Sequence, residues 1–307
     1  MLSMFHKNTV LFLAYGLLGA APFVGAVAGL SFFPPVLFAA FRIDVGAVLL
    51  LLLVAVRGDY WHPKTTEDIA GVLVTGILTL GGNIALVFAG QQYITSATGS
   101  VIYSLAPLLT AVFAYILLPS ERLSLLGGVG IVLGFVGAGI VTNPDPSNLT
   151  TVTNRGVGLV FLSVLSFGLG NVITRRIDPD LPSLTLTTWG LVVAAVFVHS
   201  VSVLRGESVS QSEWTIQAVL SLIGVGVIGT AVLYRVHFEL LTEIGATRTN
   251  LAYYAHPVST AVAGYLILDE RITVFTITGL VVIFAGFVLI EWERIQSVIP
   301  RSFHRYL

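Results

Sequence analysis

The chain has 307 residues, of which 55% are hydrophobic and only 10% charged, and its formal net charge is −1. A soluble domain is about 25% charged, so a mean hydropathy of +0.92 excludes an ordinary water-soluble globule. The near-neutral balance argues against nucleic acid as a partner, and the absence of cysteine excludes disulfides and thiolate metal sites.

In chain order, residues 1–8 are a short lead carrying Lys7. Residues 9–30 form the first long apolar run, with Pro22 inside it. The run exceeds the core of a signal peptide (about 7–15 residues) and more runs follow, so it is read as span 1. After a tight turn at 31–35, span 2 covers 36–56 and contains Arg42 and Asp44. A charged loop at 57–68 leads into span 3 at 69–89, with Asn83 inside. Span 4 is placed at 95–118 and span 5 at 123–142. Residues 143–155, NPDPSNLTTVTNR, are the most polar linker in the chain. Beyond it come spans 6 (156–174, ended by Arg175-Arg176), 7 (184–204), 8 (214–241), 9 (247–268) and 10 (273–292). The tail at 293–307 is basic and aromatic. Each span is about 20 residues, or roughly 30 Å of helix, which matches the hydrocarbon thickness of a bilayer. Continuous rather than alternating apolar runs favour helices over a barrel. The reading is an all-α membrane protein.

The chain also repeats itself. Residues 97–141 read ATGSVIYSLAPLLTAVFAYILLPSERLSLLGGVGIVLGFVGAGIV, and residues 246–290 read ATRTNLAYYAHPVSTAVAGYLILDERITVFTITGLVVIFAGFVLI. Ala97 matches Ala246, Glu121-Arg122 match Glu270-Arg271, Gly130 matches Gly279 and Gly137 matches Gly286, all at an offset of 149 (246 − 97 = 149). Pro107 and Pro257 differ by 150, a slip of one residue. A period near half the chain marks a duplicated unit. With the N-terminus inside, Lys7, Arg57, Lys64, Arg122, Arg175, Arg176, Arg294, Arg301 and Arg305 fall on the inner side, with Arg248 at its edge, against Arg155, Arg205 and Arg271 outside. That asymmetry predicts both termini in the cytoplasm. Five spans per repeat is an odd number, so the second repeat enters from the opposite side. The expectation is ten helices as two inverted repeats, 9–142 and 156–292, joined by the 143–155 linker and followed by a cytoplasmic tail, with a substrate cavity at the midplane.

Two such units, each with a proline-bearing helix, a Glu-Arg hinge and a glycine-bearing helix, resemble the drug/metabolite transporter superfamily, EamA type. The resemblance rests on SLAPLLTAVFAYILLPSERLSLLGGVGIVLGFVGAGIV and YAHPVSTAVAGYLILDERITVFTITGLVVIFAGFVLI and covers nearly the whole chain. Pro119-Ser120 precede Glu121 where the family more often has Gly. The resemblance implies a ten-helix carrier in the cytoplasmic membrane, usually exporting small metabolites such as amino acids or drugs.

Candidate site residues follow from helical spacing. Seven, four and three residues before Pro107 stand Ser100, Tyr103 and Ser104; before Pro257 stand Asn250, Tyr253 and Tyr254. These offsets place polar groups on the proline face in both repeats, and each proline frees a carbonyl one turn earlier. Arg42 costs at least ~2.5–3.5 kcal/mol at such depth and calls for a polar interior or a partner. Asp44 lies roughly 200° round the helix and is not that partner. Trp189 stands seven residues after Pro182 as Arg42 does after Pro35, which suggests equivalence. Asn83 joins the substrate-binding set. His237, Glu239 and His256 are the candidates for proton coupling, and Arg235 is spaced to pair with Glu239. Packing and cytoplasmic-boundary ion pairing are the competing readings of these groups. Phe303, Tyr306, Arg301 and Arg305 fit an interfacial anchor.

Nothing in the sequence looks catalytic, and no cofactor or metal is called for. The function expected is a secondary transporter of a small organic metabolite in the lipid bilayer, working by alternating access. An intramembrane lipid-modifying enzyme and a channel are the alternatives, and a homodimer is left open.

Overall fold

The computed structural model describes residues 2–57, 60–119, 124–142, 151–253, 255–290 and 292. Among these residues every regular element is helical. Ten rods can be followed: α1 (Lys7–Gly29), α2 (Pro35–Val56), α3 (Thr66–Gln91), α4 (Ser96–Leu117), α5 (Leu125–Thr142), α6 (Val152–Ile177), α7 (Ser183–Leu204), α8 (Ile216–Gly245), α9 (Ala255–Leu268) and α10 (Val274–Ile290). The first eight are long and apolar enough to cross a membrane, whereas α9 and α10 are shorter apolar helices. At Gly245 the backbone turns to φ 80° and ψ 168° and helix resumes after it, which separates the expected spans at 214–241 and 247–268. A positive φ of this kind suits glycine, which has no Cβ to clash. Large apolar side chains such as Val56, Leu125 and Leu204 stand fully outward, as expected where lipid is the solvent.

Threonine sets several helix starts. Thr65, Thr95, Thr151 and Thr215 each accept a backbone N–H of the first turn of α3, α4, α6 and α8 through the side-chain oxygen. Carboxylates from afar fix the start of α2 and add to that of α4. Glu207 accepts the N–H of Leu37 at 2.7 Å, and Glu270 accepts the N–H of Ser96 at 2.7 Å and its hydroxyl at 2.7 Å. A carboxylate at a helix N-terminus answers both the free donors and the helix dipole.

The duplication is visible in the packing. Gly130 is the repeat mate of Gly279, and Gly137 of Gly286 (137 + 149 = 286). Yet the close approaches are crossed. A Cβ on Gly137 would lie 2.7 Å from the Gly279 carbonyl oxygen, and Gly130 meets Gly286 in the same way. Equivalent helices α5 and α10 therefore cross antiparallel about a local two-fold, with glycines letting the backbones touch. A second repeat-related feature lies in α3 and α8. Both widen into π-helix, at Thr75–Gly82 and Gly224–Val232, and the starts differ by 149 (224 − 75). Each wide segment receives the second helix of the other repeat: Gly76 abuts Val193 of α7, and Gly226 abuts Val45 of α2. Such segments leave the ordinary ladder and are frequent at functional sites.

Two rods are broken. Helix α1 is interrupted at residues 19–20, just before Pro22, and α4 at 104–105, just before Pro107. Both breaks follow from the missing N–H and the ring of proline.

Candidate functional site

Arg42 organises the interior. The Glu207 carboxylate fixes the start of α2, and two turns on Arg42 points inward with 7% of its surface exposed. Its Nε donates to Thr230 Oγ1 at 3.0 Å, and Nη2 donates to the Gly229 carbonyl at 3.2 Å. Both acceptors belong to the π-helical part of α8. Thr230 Oγ1 in turn donates to the Val225 carbonyl at 2.8 Å, five residues back. The guanidinium carbon lies 5.6 Å from the Phe88 ring centre on α3, a distance at which cation and ring attract. The phenol groups of Tyr103 and Tyr234 are its electrostatic neighbours.

From Tyr103 the cluster extends two ways. Asn83 Nδ2 donates to the Tyr103 hydroxyl at 2.8 Å, while Asn83 Oδ1 is buried without a hydrogen-bond partner. The Tyr103 ring is enclosed by Phe23 at 5.6 Å, Phe167 at 5.8 Å and Tyr253 at 6.5 Å between centres. Tyr253 in turn lies 4.6 Å from the His256 ring. His256 Nε2 is 3.1 Å from the Tyr15 carbonyl oxygen, and His237 Nδ1 is 3.0 Å from the Tyr15 hydroxyl. Arg42, Asn83 and His256, which are buried, and Tyr103, Tyr253 and His237, which are half-buried, thus form one neighbourhood, with Tyr15 linking the two histidines.

Other sequence candidates go elsewhere. Trp189 donates its indole N–H to the Trp61 carbonyl at 2.8 Å, at the exposed end of α7, and so is not equivalent to Arg42 in space. Ser100 and Ser104 are buried, but their hydroxyls donate to the Ala97 and Val101 carbonyls of their own helix. Glu239 accepts from Lys7 at 3.0 Å and Arg235 at 2.7 Å, an ion-paired edge apart from the two histidines. Tyr254, the Asn250 side chain and the Glu121-Arg122 hinge lie outside the described residues. Asp44 pairs with His199 at 2.8 Å, away from Arg42 as its helical position requires. Sequence reasoning passed over Tyr15 and Phe88. Tyr15 carries a signal, a lone polar group within an apolar run, whereas Phe88 carries none. A groove of about 590 Å³ is lined by Ser124, Leu125, Gly128, Val129 and Val132, at and beside the start of α5, not by these residues. Among the described residues no group of three His, Asp or Glu could hold a metal ion.

The EamA-like transporter family model matches residues 7–143 and again 154–292. The chain belongs to that family. Among its relatives in Bacillus subtilis strain 168, "Uncharacterized transporter YyaM" is 30% identical over 278 residues, covering 88% of this chain and 90% of that protein. "Uncharacterized transporter YoaV" of the same strain is 27% identical over 258 residues, covering 84% and 87%. A crystal structure with 18% identity superposes with a TM-score of 0.66 over 96% of this chain and 99% of that one, a likeness of fold. Family membership and the eight apolar spans make this EamA-like protein a multi-pass membrane transporter.

Proposed function

We propose that this EamA-like protein is a secondary carrier that moves a small organic metabolite by alternating access, with the Arg42 neighbourhood as its binding site. The reading takes α9 and α10 as membrane-crossing too, giving ten helices in two inverted units, 9–142 and 156–292, joined by the linker at 143–155. The protein sits in the cytoplasmic membrane with both termini inside, and export is its working direction, as in the family. The single observation that carries the reading is the crossed glycine contact of α5 and α10 about a local two-fold. Two inverted halves that meet at the midplane can exchange conformations and so expose one site to each side in turn. His237 and His256, linked to each other by Tyr15 and to Tyr103 through the Tyr253 ring, are the residues through which proton coupling would run.

Counterflow tests the carrier. The purified protein is reconstituted in proteoliposomes preloaded with a panel of unlabelled amino acids, organic acids, amides and amines. External label of the same compound is expected to overshoot its equilibrium level, and flux to saturate. Linear, unsaturating flux would identify a channel, and no flux for any compound would reject transport of small metabolites.

A further inference from the structure

We infer that the substrate is an organic anion whose carboxylate or phosphate group docks on Arg42 and whose hydroxyl or N–H donor meets Asn83 Oδ1; the inference rests on the carrier reading above. A guanidinium offers five N–H donors, and Arg42 uses two of them on Thr230 and Gly229. Among the described residues no carboxylate lies within ion-pair distance of it. The acid on its own helix, Asp44, is taken by His199. The other neighbours, Tyr103, Tyr234 and the Phe88 ring, are neutral and supply partial charge only. Burying an uncompensated cation is costly, and the cost is relieved by a counter-ion. Here the protein holds the cation in place and leaves most of its donors open, so the counter-ion is left to the ligand. Guanidinium forks bind carboxylate and phosphate bidentately.

Asn83 is the second, independent observation. It is 5% exposed and its amide is half used: Nδ2 is spent on Tyr103, and Oδ1 has no partner. A buried acceptor left unmade is destabilising, and a ligand donor would recover the loss. Asn83 bonds the Tyr103 hydroxyl, and the same phenol interacts electrostatically with Arg42. The site therefore reads as positive at one end and accepting at the other, with aromatic walls from Phe23, Phe88 and Phe167. Among the described residues, a cationic ligand would find no carboxylate paired at Arg42.

The test compares matched compounds in the full-length protein in proteoliposomes: lactate with lactamide, 4-hydroxybenzoate with 4-hydroxybenzamide and 4-hydroxybenzylamine, and glycerol 3-phosphate with glycerol. At least one anion is expected to show counterflow, and its uncharged and cationic analogues are expected to fall about 30-fold or more below it, the scale of losing one partner of a buried charge pair. Arg42→Gln should abolish that difference. Because a variant at a buried charge can misfold, Asn83→Asp is the second arm: it sets a fixed negative charge where the inference seats the ligand, with almost no change of shape, and should remove anion flux while folded protein is retained in size-exclusion profiles. Amides or amines moving in preference to every anion would overturn the anion assignment and leave the carrier intact. Anion flux undiminished in Asn83→Asp would overturn it as well. No counterflow by any compound would bring down the carrier reading and the assignment together.

Discussion

Arg42 is held by one side-chain acceptor that can be removed without changing shape. Thr230→Val deletes the oxygen that receives Nε and keeps the branched form that packs on Gly46. The expected cost is about 1–3 kcal/mol, the penalty for a buried donor left unmade, read as a lower thermal midpoint of the detergent-solubilised protein. A substrate anion at Arg42 should recover part of that loss by mass action. His256 offers a test of packing. Gly19 sits against its imidazole so closely that a Cβ would overlap the ring. Gly19→Ala should therefore destabilise by about 1–3 kcal/mol, as overpacking does. Gly128, which faces open space, should accept the same change with little effect. Equal midpoints for the two variants would remove the close α1–His256 contact.

At the scale of elements, the crossing of α5 and α10 makes a sharper demand. Gly137→Leu and Gly286→Leu lie on repeat-equivalent positions and each breaks one half of the crossed contact. Both should lose folded protein in size-exclusion profiles, and a leucine at exposed Gly139, on the same helix, should not. The glycine pattern was legible in the sequence because repeat spacing and helical spacing agree there. The breaks before Pro22 and Pro107 were legible for the same kind of reason, since proline removes a donor wherever it stands. The π-helical segments were not: no residue type demands an i→i+5 bond, and Thr75–Gly82 reads as ordinary apolar helix. Trp189 matches Arg42 only when residues are counted from Pro35 and Pro182, an offset of 147, whereas the glycines obey 149. At 149 the mate of Arg42 is Leu191, which is fully buried, so the repeat is chemically asymmetric and supplies one cation, not two. Ser100 and Ser104 lie on the expected helix, but a serine hydroxyl satisfied by its own turn gives no sign of that in sequence. The Asn83–Tyr103 bond joins two helices and is equally silent.

Over the whole molecule, the two ends of the bundle differ in what ties them together, and this fixes a test of orientation. One end joins Glu213 to Phe32 by a backbone hydrogen bond of 2.8 Å and holds the Glu270–Ser96 contact. The opposite end holds Lys7 against Glu243 at 2.9 Å and Asp68 against the Leu181 N–H at 3.2 Å. Lys7, Lys64, Arg175 and Arg176 belong to the second end, and Arg155, Arg205 and Arg271 to the first. On the proposed topology the second end, richer in basic residues, is the one that faces the cytoplasm. The natural chain has no cysteine, so single cysteines report without background. Gln92→Cys and Ser208→Cys, at the first end, should react with a membrane-impermeant maleimide on intact cells, whereas Asp180→Cys should react only after the membrane is opened. Labelling of Asp180→Cys alone on intact cells would invert the orientation and, with it, the side from which Arg42 first meets its ligand. Labelling of Gln92→Cys but not Ser208→Cys would put the loops after α3 and α7 on opposite sides. That result would break the inverted-repeat topology, because the two ends of the bundle could then no longer be the two faces of one membrane.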